Sequence, residues 1–161
     1  MLGTLVESYA WLKTQVDFQD TLFNPWEVKM KFMVCYDGTD EAKEALKVAQ
    51  KHAGIWNAKL EVVNTIVRIE PLKHSQVEKA EAKLEKEVKD FLGSDDPSYE
   101  TLLLLTDLTP GEQLVKYAEE DKIDQVFLGI IKKSKVGKLL FGSTAQYVIL
   151  HAPCPVVTVQ K

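Results

Sequence analysis

The chain has 161 residues, 45% hydrophobic and 27% charged, with a net charge of −4 and a pI near 5.4. These values describe one globular domain with enough chain to bury a core, and they exclude a general nucleic-acid coat. No apolar run approaches bilayer length, and the first residues lack the basic, apolar and small-residue succession of a secretory signal, so neither a membrane span nor export is expected.

Residues 1–27 read as a segment of their own. Leu2, Leu5, Val6, Tyr9, Leu12 and Val16 recur at helical spacing, and Trp11 and Trp26, two of the three tryptophans, are unlike a disordered tail. The spacing predicts an N-terminal helical extension. Two roles stay open for it: packing on its own domain or a dimer mate, or docking to an unidentified protein partner. It is too acidic and lysine-poor to anchor in a membrane.

Residues 28–161 alternate strands and helices. The apolar run 28–36 predicts a first strand, broken by Asp37-Gly38-Thr39-Asp40. Ala42, Ala45, Leu46, Ala49 and Ala53 predict a helix capped by Thr39 or Asp40 and stopped by Gly54. A second strand covers 58–66, and a polar linker with Pro71 leads to a charged helix at about 75–92 with inner stripe Val77, Ala80, Leu84, Val88 and Phe91. Gly93 ends it and Asp95-Asp96-Pro97 turns the chain. The third strand, 99–106, carries four consecutive leucines at 102–105, which predicts burial on both faces. Thr109 as N-cap, Pro110 at the first helical position and Glu112 two residues on spell a capping box, with Leu114, Val115 and Ala118 facing inward. The fourth strand is 125–129, a helix follows at 143–151, and Ala152-Pro153-Cys154-Pro155 precedes a last strand at 156–159. Cys35 and Cys154 lie on or beside apolar strands and read as buried thiols in a reducing cytoplasm rather than as a disulfide.

This alternation predicts an α/β, doubly wound, Rossmann-like fold: a five-stranded parallel sheet in the order 3-2-1-4-5, covered on both faces. Ligands of such sheets sit beyond the carboxyl ends of the strands, where the winding direction reverses. Asp37 and the stretch from Gly129 to Thr144, GIIKKSKVGKLLFGST, follow the two strands at that reversal. The stretch holds three glycines and four lysines and opens onto Ser143-Thr144 at a helix start. A glycine loop running from a strand into a helix presents N–H groups to a phosphate. Charge agrees: residues 125–161 carry five lysines and no acid, +5, leaving −9 for the rest of a chain at −4.

The signature VCYDGTDEAKEAL, the helix start TPGEQLVKYAEE, the spacing of Gly129 to Gly142-Ser143 and the ending YVILHAPCPVVTV resemble the universal stress protein family over about residues 29–161. The resemblance implies a parallel five-stranded sheet, a homodimer formed through the last strand, and binding of ATP, AMP or another adenine nucleotide, with or without Mg or Mn. It implies no general catalytic reaction. In the family's motif G-x-x-G-x9-G-S/T, Gly129, Gly142 and Ser143 fit, while Lys132 stands where the second glycine belongs. Glycine there allows a positive φ and close backbone approach, and lysine adds bulk. Lys133, Lys135 and above all Lys138, beside Gly137, are candidates to restore anion affinity.

The resemblance also implies a place for Asp37 near the ribose or the metal-bound phosphates, and for the Thr65 backbone against adenine. Against these stand plainer roles: Asp37 closing a turn, Thr39 capping a helix, Thr65 as a strand residue, and Gly142, Ser143 and Thr144 as an ordinary helix start. Sharper motifs fail on spacing. Gly137-Lys138 is followed by Leu139, which breaks a Walker A loop, and no G-x-G-x-x-G follows the first strand. His52, His74 and His151 show no metal-ligand spacing. The leading expectation is a cytoplasmic, homodimeric stress-response protein that binds an adenine nucleotide without dedicated catalysis. Its alternative is a nucleotide-free interaction module in which Lys132 closes the loop; slow ATP hydrolysis, with Asp37 its one candidate acid, ranks third.

Overall fold

The computed structural model describes residues 30–68, 73–93, 99–131, 133–135 and 138–161. The predicted extension at 1–27, the Pro71 linker, the Asp95-Asp96-Pro97 turn, Lys132 and Gly137 lie outside them. Strands β1 (Lys31–Cys35), β2 (Lys59–Val67), β3 (Tyr99–Thr106), β4 (Gln125–Gly129) and β7 (Val156–Val159) form one parallel sheet in the order β3-β2-β1-β4-β7. This is the expected order, with β7 as the fifth strand. Helices α1 (Asp40–Trp56), α2 (His74–Leu92), α3 (Pro110–Glu120) and α4 (Ser143–His151) connect the strands.

Alternation along β1 divides the core. Phe32, Val34 and Tyr36 pack with the alanine stripe of α1 and with Leu84 and Val88 of α2. Met33 and Cys35 face the other way, with Leu114 and Ala118 of α3 and Ala145 and Val148 of α4. β1 and β4 are the central strands and are buried on both faces, as helices on both sides of a parallel sheet require.

Three local expectations change. The segment after β4 is not a plain loop: β5 (Lys133–Lys135) and β6 (Lys138–Leu140) pair antiparallel as a short hairpin. The leucine run of β3 is not buried on both faces, because β3 is an edge strand; Leu102 to Leu104 are half-buried and Leu105 is exposed. Gly54 does not stop α1, which runs on to Trp56 and ends where Asn57 turns left-handed at φ 48°. Asn tolerates that region better than most residues, and Gly54 is absorbed within the last helical turns.

Glu61 is a polar group inside the core. It lies on β2 at 2% exposure, accepts a hydrogen bond from the Tyr117 hydroxyl at 2.8 Å and pairs with the Lys59 ammonium at 3.3 Å. Lys59 also meets Glu100 on β3 at 2.8 Å. The contacts tie α3 to the sheet, and burial followed by the Glu61 carboxylate pushes the Tyr117 phenol well above its ordinary range. Removing one donor from a buried acceptor costs about 1–3 kcal/mol. Tyr117→Phe is therefore expected to lower the urea midpoint of unfolding by that amount of stability, with unchanged far-UV circular dichroism.

Candidate functional site

Tyr36 donates its N–H to the Val63 carbonyl at 2.9 Å, the last bond between the first two strands; beyond it β2 continues with a partner only on its β3 side. A crevice of about 360 Å³ opens there, at the carboxyl ends of β1, β2 and β4. β1 leads into α1 on one face of the sheet, and the segment after β4 leads into α4 on the other. The crevice thus sits at the predicted reversal.

Of the nine residues expected from sequence, Asp37, Thr39, Thr65, Gly129, Gly142, Ser143 and Thr144 line this crevice. Lys138 opens β6, and Lys132 lies outside the described residues.

The turn after β1 is tied by its own side chains. Asp37 Oδ1 accepts hydrogen bonds from the Thr39 amide at 3.0 Å and the Thr39 hydroxyl at 2.6 Å. Thr39 Oγ1 in turn accepts from the Ala42 amide at 3.2 Å and caps α1. These residues build the turn and cap the helix, and they also line the crevice. Oδ2 of Asp37 has no hydrogen bond among the described residues.

The two glycines of the motif have different reasons. A Cβ at Gly129 would fall 2.5 Å from the Ala42 nitrogen and against the Glu41 carbonyl, so only glycine lets the end of β4 touch the first turn of α1. Packing alone is enough to require glycine here. Gly142 is the reverse case. Its backbone is ordinary at φ −60° and ψ 152°, and a Cβ there would meet nothing within 4 Å. Nothing in the described protein requires glycine at this position.

Gly142, not Ser143, is the N-cap of α4, and no side chain caps the helix. The first intrahelical bond runs from the Gln146 amide to the Gly142 carbonyl at 2.9 Å. The amides of Ser143, Thr144 and Ala145 precede it and have no intrahelical acceptor, and these three residues line the crevice. The plain reading of Gly142, Ser143 and Thr144 as a helix start therefore holds, with Gly142 as the cap position and Ser143 already inside the helix.

Thr65 lies on the open edge of β2. Because Val63 bonds toward β1, period-two alternation turns the Thr65 amide and carbonyl the same way, past the end of β1. The Asn64 side chain currently accepts from the Thr65 amide at 2.7 Å. Asn64 was missed from sequence, as were Val63, Pro110, Leu114 and Ile131, which are among the other residues of the walls. Position could have found Ile131, which follows the carboxyl end of β4, whereas Val63 and Asn64 lie within β2 and Leu114 within α3. Cys35 also lines the crevice; burial, then nearby Asp37, pushes its thiol up to about 12. Both cysteines are free thiols. Among the described residues, no group of three or more His, Cys, Asp or Glu is placed to hold a metal ion, and no helix is long and apolar enough to cross a membrane.

The model of the universal stress protein family matches residues 30–160. A universal stress protein from Thermus aquaticus is 31% identical over 133 residues, covering 80% of this chain and 96% of its own. Among solved structures, a universal stress protein from Archaeoglobus fulgidus superposes with a TM-score of 0.67 at 28% identity, covering 82% of this chain and 99% of that one. A universal stress protein from the same organism in complex with dAMP gives 0.64 at 24% identity, covering 82% and 98%. The crystal structure of a universal stress protein in complex with cAMP gives 0.66 at 23% identity, covering 81% and 96%.

Two outcomes check this geometry. Gly129→Ala forces α1 and β4 apart and is expected to cost about 1–3 kcal/mol, the usual range for overpacking, read from urea unfolding. At pH 8, iodoacetamide is expected to modify half-buried Cys154 well before Cys35, mapped by mass spectrometry. The folded Cys35 thiol holds its proton more tightly than an unfolded one near 9.0, so its contribution to stability is full below that pH and is lost as pH rises toward about 12.

Proposed function

This chain belongs to the universal stress protein family, and from that premise we propose that it binds an adenine nucleotide, ATP or AMP, in the crevice between β1 and β4, as a regulatory protein without dedicated catalysis. The observation that carries the reading is Gly142. A Cβ there would meet nothing within 4 Å and its backbone suits any residue, so no described residue requires glycine just before the first amides of α4, which no side chain caps.

The remaining parts of the crevice suit a nucleotide. The N–H groups of Ser143, Thr144 and Ala145, with the positive end of the α4 dipole, favour a phosphate. Lys138 on β6 and Lys132 add cationic charge on the same connection, and Mg or Mn would arrive with the phosphates. Asp37 Oδ2 is available for ribose hydroxyls. The Thr65 amide and carbonyl can bond an adenine edge once Asn64 releases the amide, and Val63, Leu114 and Ile131 offer apolar surface to the base. The dAMP and cAMP complexes of proteins with this fold support the ligand class.

No residue is assigned to bond cleavage: Asp37 Oδ1 is engaged by Thr39, and Asp37 is the one acid on the crevice wall among the described residues. A cytoplasmic homodimer that pairs through β7 completes the reading, supported by the position of β7 at the sheet edge. Nucleotide occupancy would then set the conformation offered to a partner in the stress response.

Calorimetry on ligand-stripped protein is expected to show AMP or ATP binding. Gly142→Ala should leave stability within about 0.5 kcal/mol, as for a surface change, yet weaken binding about tenfold or more. Ser143→Ala combined with Lys138→Ala should also weaken it. Absence of heat at millimolar nucleotide, or full affinity in Gly142→Ala, would reject the proposal.

A further inference from the structure

We propose that the N-terminal segment of this same chain folds back over the far end of α1 and covers an apolar patch made by Ile55 and Trp56. These adjacent side chains are 77% and 62% exposed. Single exposed apolar residues are ordinary on protein surfaces. Two large ones in the last turn of a helix, at the point where the chain enters the domain, call for a cover.

The exit point selects the occupant. The Met30 carbonyl accepts a hydrogen bond from the Lys59 amide at 2.8 Å, and Lys59 follows Trp56 by a single short turn through Asn57. The Met30 side chain packs with Phe32 and Val34 in the cluster that α1 covers. Met30, where the described chain begins, therefore stands on the face of α1, at the end of α1 that carries the patch. Leu150, 67% exposed on α4, belongs to a helix that packs on the opposite face and is passed over for that reason.

Reach and chemistry both fit. Leu2, Leu5, Val6, Tyr9, Leu12 and Val16 give the segment one apolar stripe, which needs an apolar surface to rest on. Residues 17–29 join that stripe to β1, and at about 3.3 Å per extended residue they span far more than the few residues between Met30 and α1 require. Between 17 and 27 the chain carries Asp17, Asp20 and Glu27 and no lysine or arginine. Lys51, exposed one turn before Ile55, supplies the opposite charge beside the patch. The family match begins at residue 30, so this cover is an addition to the family domain.

The test uses the full-length chain and limited trypsin cleavage after Lys13. Ile55→Asp is expected to accelerate that cleavage about tenfold, because cleavage tracks the population of the undocked state, while far-UV circular dichroism stays unchanged. Leu5→Asp should accelerate it equally, and the double variant should be no faster than either single one, at every protein concentration. Equal cleavage in wild type and Ile55→Asp would overturn the proposal, as would additive effects in the double variant. Protection that grows with protein concentration would overturn it too, by assigning the patch to a second copy.

Discussion

The crevice depends on a contact between two stretches of backbone. At Gly129 the end of β4 lies against the peptide between Glu41 and Ala42, closer than any side chain would allow. That contact seats the first turn of α1 directly over the exit of β4, although α1 grows from β1. The two strand exits are then neighbours while their helices go to opposite faces, and among the described residues no other element fills the space between them. Interiors are packed too tightly for such a contact to relax cheaply.

Around this hinge of packing, the site divides its labour. The Asp37-Gly38-Thr39 turn is held by bonds among its own members and by the cap on α1, so that wall is set before any ligand arrives. The α4 side is held differently: no side chain caps its first amides, and Gly142 before them brings no side chain of its own. One helix terminus contributes only about 0.3–1 kcal/mol to an exposed anion, and up to about 2 when partly buried. A phosphate alone gains little from that. The apolar walls and the open edge of β2 are what turn a weak anion site into one suited to a whole nucleotide.

Much of this was legible in the sequence, for identifiable reasons. The doubly wound parallel sheet followed from alternating periodicity and right-handed crossovers, its expected order being one of the windings those rules allow, and the Thr109-Pro110-Glu112 signature located α3 through local chemistry alone, since its capping box closes within one turn. What failed depended on partners distant in sequence. Four leucines imply burial only if strands lie on both sides, and β3 is at an edge. Gly54 looks like a stop only until Asn57 is seen to turn the chain. Gly129 and Gly142 are identical letters in one motif, yet one is required by the peptide of α1 and the other by nothing among the described residues. Asn64 carried no signal because its role, holding the Thr65 amide, is set by where β1 ends.

The central claim is that the uncapped amides of α4 are a phosphate seat. The most direct measurement is a titration of isotope-labelled protein with AMP, followed by amide chemical shifts. The account predicts the largest shifts at Ser143, Thr144 and Ala145, with Thr65 moving in step as its amide leaves Asn64. Saturable shifts that spare residues 143–145 and gather elsewhere would contradict it.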